Sequence, residues 1–203
     1  MRWSLNSIDD IDLKSLILSR KRLLDFLSED GAGNIRAVSA TMARCLDDGG
    51  TVYACGNGGS ASQAEHFSAE LVGRFYQDRR SLPVYSLAEN GAVMSSLAND
   101  YSFEHVFAHQ IAGVGSEGDC LLALSTSGNS ENVVRACREA KKKGMHVFSL
   151  TGEGGGRVAP ESDIVIAVPD TDTAAIQEIH LLVVHLICQL VETALFRTKD
   201  GKQ

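Results

Sequence analysis

The chain has 203 residues, 44% of them hydrophobic and 22% charged, and carries a formal net charge of −7. That length gives room for a sizeable core, and the balance suits a globular chain. The acidic excess excludes a nucleic-acid surface, and no run reaches the roughly 18 uninterrupted apolar residues of a membrane span.

The opening stretch, MRWSLNSIDDIDLK, places acids where a signal sequence needs an apolar run, so a cytoplasmic protein is expected. Cys45, Cys55, Cys120, Cys137 and Cys188 form no C-x-x-C pair and mostly sit in apolar contexts. They read as buried free thiols.

Spacing predicts a helix over 7–27, with Ile8, Ile11, Ile17, Leu24 and Leu27 recurring at helical intervals and Asp9, Asp10 and Asp12 in its first turn. Residues 28–33 are expected as a turn. A second helix follows, with Ile35, Val38, Met42 and Cys45 on one face and Gly49-Gly50 just past its end. Together these form an N-terminal helical extension, residues 1–48. Its apolar stripes suit packing on the rest of the chain or on a second subunit.

From 51 the pattern becomes strand, loop, helix, repeated over an α/β core at 49–197. Strands are expected at 51–55, 83–87, 119–124, 145–150 and 163–168. Helices are expected at 61–73, 91–97, 103–112, about 131–143 and 173–196, with a polar tail over 198–203. Each strand is a continuous apolar run. The expected fold is therefore a single doubly wound α/β domain, a five-stranded parallel sheet sandwiched by helices. Ligands in such folds bind beyond the carboxyl ends of the strands.

Two loops lie at that edge. CLLALSTSGNS, residues 120–130, passes from four apolar residues to Ser125, Thr126, Ser127, Gly128, Asn129 and Ser130, then opens a helix. Free N–H groups and the macrodipole at a helix N-terminus favour an anion, and four hydroxyls with an amide add neutral donors. A phosphate is the expected ligand; the alternative is an ordinary turn whose Ser or Asn caps the helix. The earlier loop, Gly56-Asn57-Gly58-Gly59-Ser60-Ala61, also fits the dinucleotide fingerprint G-x-G-x-x-A, with Glu89 in the place of the ribose acid. About 50 residues precede it, however, and a dinucleotide leaves STSGNS without a task. Two small-residue loops on one edge suit a compact phosphorylated substrate better, because glycine lets backbone approach the sugar.

The helix after the first loop carries His66 and Glu70 one turn apart on one face, and the last long helix carries Gln177 and His185 at i and i+8. Helix rise separates Gln177 from His185 by roughly 12 Å, so they share a centre only if their side chains lean together or come from different subunits. Two histidines, a carboxylate and an amide are a possible donor set for zinc. The competing reading of His185, flanked by Leu181 to Ile187, is a buried histidine satisfied by a carbonyl. His180 points about 140° away from His185 and is left outside the site. His105, His109 and His146 are read as structural.

CGNGGSASQAEHFSAEL, LANDYSFEHVF, STSGNS and IQEIHLLVVH, in that order, resemble the phosphoheptose isomerases of the sugar-isomerase (SIS) domain family over nearly the whole chain. STSGNS is shared by many sugar-phosphate-binding SIS domains; His66 and Glu70 combined with Gln177 and His185 are more specific. The resemblance implies a homotetramer with active sites at subunit interfaces. It implies conversion of sedoheptulose 7-phosphate to D-glycero-D-manno-heptose 7-phosphate, the first step toward lipopolysaccharide heptose. It assigns Asn57, Gly58, Gly59, Asn99 and Asp100 to substrate contact, and Ser125, Thr126, Ser127 and Ser130 to the phosphate. It assigns His66, Glu70, Gln177 and His185 to one zinc per subunit, with Glu70 and Gln177 also on substrate. Glu70 and His185 become the acid/base pair. Family members often carry Arg directly before I-Q-E, and some carry Asp before that Arg; here Ala174 and Ala175 occupy those positions, with Asp170 and Asp172 nearby. Two other functions fit an SIS fold: a non-catalytic partner of the replication initiator DnaA, which tends to lack the second histidine, and an isomerase or binder of another sugar phosphate.

Overall fold

Five short strands, β1 (Val52–Cys55), β2 (Val84–Ser86), β3 (Cys120–Ser125), β4 (His146–Thr151) and β5 (Ile164–Ala167), pair in parallel in the order β2-β1-β3-β4-β5. The structure is a computed structural model and describes residues 11–196. The start of the expected first helix and the expected polar tail lie outside the described residues. Register is continuous across the sheet: Val52 faces Val84 on one side and Cys120 on the other, and Ser125 faces Thr151.

Alternation along the strands divides the core into two layers. Val52, Ala54, Leu122, Leu124, Phe148 and Leu150 point to one face, which is covered by α1 (Leu13–Phe26), α2 (Ala32–Asp47), α3 (Gly59–Val72) and α7 (Thr173–Phe196). Tyr53, Cys55, Leu121, Ala123 and Val147 point to the other, covered by α4 (Gly91–Asp100), α5 (Val106–Val114) and α6 (Glu131–Lys142). The expected doubly wound sandwich is thus present. Strand order reverses between β1 and β3, the position where open α/β sheets leave a crevice for ligand. Both small-residue loops leave the sheet at that point.

All five cysteines are buried free thiols. α7 is long and apolar enough to cross a membrane on length and composition alone. Here it is a core helix against the sheet, with buried residues running from Ala175 to Glu192.

The expected turn at 28–33 is not one. Residues Leu27–Gly31 form a π-helical turn that runs straight into α2. Glycines at 31 and 33 signal a break locally, but Leu27 and Gly31 are both buried, and their packing carries the helical path through. α1 begins at Leu13, with the Asp12 side chain accepting from the Ser15 N–H as its N-cap. Its buried contact is made by Leu23, whereas Leu13 and Ile17 stand 66% and 69% exposed, so this helix turns much of its apolar surface outward.

Asp170 and Asp172, beside Ala174 and Ala175, are turned toward α1: Asp170 pairs with Arg22 at 3.5 Å and Asp172 lies 3.9 Å from Arg20. Arg20 also donates to Glu178 at 2.8 Å. The acids therefore tie the N-terminal extension to the start of α7.

Candidate active site

The loop after β3 is built by its own backbone. Gly128 adopts φ +64°, in the left-handed region, and a Cβ there would collide with the Gly155 carbonyl. The Gly128 N–H donates to the Ser125 carbonyl at 3.0 Å, and the Thr126 carbonyl accepts from Gly152 at 2.9 Å. Asn129 folds onto Ser127, its N–H donating to the hydroxyl at 3.1 Å. Ser130 occupies the N-cap position of α6, yet its side chain makes no capping bond; its hydroxyl instead accepts from Ser125 at 3.3 Å. That weighs against the ordinary capping turn. These two hydroxyls meet at the start of α6, where the Val133 N–H is taken by the Ser130 carbonyl and the Asn132 side chain and the two N–H groups before it suit an anion. Glu131 opens α6 and would repel an anion. It is paired with Arg135 at 2.7 Å and Arg157 at 2.8 Å, which hold its carboxyl below the usual range, Arg135 contributing most.

Asn57 ties the two loops together. Its amide donates to Asn132 at 2.8 Å and accepts back at 2.9 Å, so the glycine-rich loop is latched to the first turn of α6. Asn132 was not singled out in the sequence; its position two residues past STSGNS, on the helix that the loop opens, was the available signal.

α3 and α7 lie side by side and run in the same direction. At their start, Gln63 donates to the Gln177 carbonyl at 2.6 Å, and the Gln177 amide lies so close to Gly59 that an added Cβ would meet it at 2.6 Å. About one turn further along α3 and two along α7, His66 Nε2 stands 2.8 Å from His185 Nε2 and 3.4 Å from Glu70 Oε1. Two imidazole nitrogens that close require a proton or a cation between them. The three donor atoms all lie within 4.8 Å of one another. The structure thus brings together His66, Glu70 and His185, and places Gln177 two turns away beside Gly59. Tetrahedral zinc with bonds of about 2.1 Å separates its donors by about 3.4 Å. The His66–Glu70 spacing already matches that, and the two imidazoles need to part by only about 0.6 Å. Two His and a carboxylate with an open position is a donor set that zinc accepts, so the triad fits a metal ion.

The buried, carbonyl-bound histidine weighed above for position 185 exists at 180 instead. His180 Nε2 donates to the Thr151 carbonyl at 3.1 Å, and burial, the largest cause, lowers its pKa to about 4. It stays neutral. Asn99 and Asp100 close α4 at the surface, bonded to each other at 2.9 Å; among the described residues they make no hydrogen bond to the loops or to the triad. His105 is structural: Arg135, which can only donate, reaches its Nε2 at 2.6 Å, so Nδ1 carries the proton toward Ser102.

Comparison with known proteins places this geometry in a lineage. The profile of the SIS domain family matches residues 18–152. The phosphoheptose isomerase of Dechloromonas aromatica is 46% identical over 167 residues, 81% of this chain and 85% of that protein. The one from Methylibium petroleiphilum is 43% identical over 195 residues, 95% of this chain and 92% of that protein. The chain belongs to the phosphoheptose isomerase family of SIS domains. Its backbone agrees: the solved phosphoheptose isomerase from Francisella tularensis superposes with a TM-score of 0.87 at 35% identity, covering 93% of this chain and all of that one.

Proposed function

We propose that the chain isomerises sedoheptulose 7-phosphate to D-glycero-D-manno-heptose 7-phosphate, supplying the heptose of lipopolysaccharide. The observation that carries this reading is the convergence of His66, Glu70 and His185 from two helices, in a fold whose loops suit a phosphate. A non-catalytic partner of DnaA has no need of that convergence.

In this reading the STSGNS loop anchors the phosphate through Ser125, Thr126, Ser127 and Ser130 and the free N–H groups of α6. Asn57, Gly58 and Gly59 present backbone to the sugar, with Gln177 and, from α4, Asn99 and Asp100 completing its contacts. Gly59 and His66 are separated by about 10 Å of helix rise, so the substrate must be long enough to run from the loops toward the triad. Isomerisation moves one proton from C1 to C2 and another from O1 to O2. Glu70 removes the C1 proton while His185 protonates O2, giving the enediol. Glu70 then delivers its proton to C2, and His185 accepts the one from O1, leaving the aldose and both groups as they began. His66, Glu70 and His185 would hold a zinc ion, and such an ion would polarise the carbonyl. The resemblance also assigns Gln177 to the metal; its amide lies against Gly59, which supports the substrate side of that assignment. A carboxylate engaged by a cation is a weaker base, and a ring nitrogen engaged by one carries no proton, so Glu70 and His185 must be free of it when they move protons.

A homotetramer with interface sites completes the reading. It is supported by the exposed apolar face of α1 and by an apolar groove lined by Leu24, Leu27, Ile35, Leu182, Leu186 and Leu190. Incubation of the purified chain with sedoheptulose 7-phosphate should yield the aldose, and Glu70→Gln should abolish it. No aldose from the wild type, or full activity in Glu70→Gln, overturns the proposal.

A further inference from the structure

Beyond the triad, the segment that follows α3 shares a second polar centre with α7. Arg79 and Glu192 form an ion pair at 3.1 Å with each side chain only 2% exposed. Glu192 also accepts from the backbone N–H groups of Phe75 at 3.2 Å, Tyr76 at 2.8 Å and Gln77 at 3.1 Å. Arg79 donates to the carbonyls of Leu71 at 2.7 Å, Gly73 at 3.0 Å, Arg80 at 3.0 Å and Glu70 at 3.1 Å. α3 ends at Val72, so the Glu70 and Leu71 carbonyls belong to its last turn, where no helical partner remains for them. The guanidinium is therefore the C-terminal cap of the helix that carries Glu70. Its counter-ion comes from α7, seven residues beyond His185 and on the same face.

A second link runs from the same carboxylate. Glu192 fixes the Phe75 amide, and the Phe75 ring lies 5.8 Å, centroid to centroid, from the His185 imidazole. One buried pair thus holds the backbone of Glu70 and supports the ring of His185. A buried ion pair is a poor stabiliser, since apolar residues of similar volume often serve as well or better. What this pair supplies is geometry: five hydrogen bonds from Arg79 and four to Glu192 fix the register between two parallel helices, two turns from the reacting groups.

We propose that Arg79 and Glu192 are positioning residues of the isomerase site, setting the separation of Glu70 from His185 without touching substrate. The proposal rests on the isomerase reading. Three full-length proteins decide it: wild type, the double variant Arg79→Met/Glu192→Leu, and Arg79→Lys. The double variant removes both charges together and so avoids leaving one buried and unpaired. The lysine keeps the charge but loses the fork to the α3 carbonyls. Circular dichroism and melting report the folded fraction; kcat and KM are measured on sedoheptulose 7-phosphate, and zinc affinity by competition with a chromophoric chelator. The double variant should stay folded and lose about 10²-fold in kcat, the penalty of an ångström-scale misplacement. Its KM should move less than about threefold, because the phosphate loop sits on β3 and α6. Its zinc affinity should fall about 10-fold or more, as for lost outer-shell support. Arg79→Lys should give a smaller kcat loss in the same direction. Unchanged kcat per folded molecule and unchanged zinc affinity in both variants would overturn the proposal. If the wild type converts no sedoheptulose 7-phosphate, the isomerase reading fails instead, and the zinc comparison alone still decides whether the pair sets the triad.

Discussion

Gly59→Ala separates function from stability at a single methyl group. Gly59 is the first residue of α3 and its φ is not in the left-handed region, so alanine is conformationally acceptable and intrinsically a better helix former. The added Cβ would nevertheless sit 2.6 Å from the Gln177 amide nitrogen and 2.7 Å from its oxygen. Ordinary contact is about 3.6 Å, so the amide must retreat by about 1 Å. The atoms that give way are the end of a flexible side chain, so the fold absorbs the change: the melting temperature should hold or rise slightly. If Gln177 orients the sugar, a 1 Å retreat costs about 10²-fold in kcat/KM, or about 2.7 kcal/mol of transition-state stabilisation.

The assay is a double-mutant cycle on sedoheptulose 7-phosphate with Gln177→Ala. Once the amide is gone, the methyl group has nothing to displace, so Gly59→Ala should cost almost nothing in that background and the coupling should approach the full single-variant loss. Two results would refute the reasoning. Wild-type kcat/KM in Gly59→Ala would mean that Gln177 does not act from the position seen beside Gly59. Additive losses would mean that the methyl group harms the loop itself rather than the amide.

Gly128→Ala should raise KM by 10-fold or more while changing kcat less, because the methyl group meets the Gly155 carbonyl and forces open the phosphate loop; steady-state kinetics with substrate and competition by inorganic phosphate check it. His180 predicts an acid limit to stability. Its folded pKa of about 4 lies below the unfolded value of 6.5, so its contribution is whole above pH 6.5 and is lost as pH falls toward 4, about 3 kcal/mol in all. Urea titrations at pH 7 and pH 4.5 should show that loss in the wild type and a smaller one in His180→Gln, whose amide still reaches the Thr151 carbonyl but never titrates; equal losses would contradict the assignment. Equilibrium dialysis should find one zinc per subunit, and His66→Ala should reduce that occupancy sharply.

The sheet, its strand limits and both loops were legible because each rests on a local pattern: continuous apolar runs for strands buried on both faces, and small residues where the backbone turns sharply. The 28–33 segment misled because Gly31 and Gly33 carry a local turn signal, whereas the burial of Leu27 is a tertiary effect that no short window contains. Histidine roles on α7 were harder still. His180 and His185 sit in equally apolar surroundings, and only the neighbouring elements, Thr151 for one and His66 for the other, give them different tasks. Arg79 and Glu192 carry no motif in the sequence, since their partners are mostly backbone groups that sequence does not distinguish.

These differences follow from how each half of the site is made. The proposed phosphate end depends on one strand, one loop and one helix N-terminus, all within residues 120–133. Its chemistry is carried by backbone N–H groups and hydroxyls that tolerate variation in everything around them. Backbone and hydroxyl donors of this kind suit a phosphate without distinguishing one sugar from another. The chemical end depends on side chains from two helices more than 100 residues apart, and an acid/base pair must be placed to within a fraction of an ångström to act on C1 and C2. Helices hold that tolerance better than loops do. It requires the register of α3 against α7 to be fixed along their whole contact: Gln63 on the Gln177 carbonyl at one end and Arg79 on Glu192 at the other, with the triad between them. On the proposed reading, substitutions that shift the register of this helix pair should therefore change turnover before they change phosphate affinity.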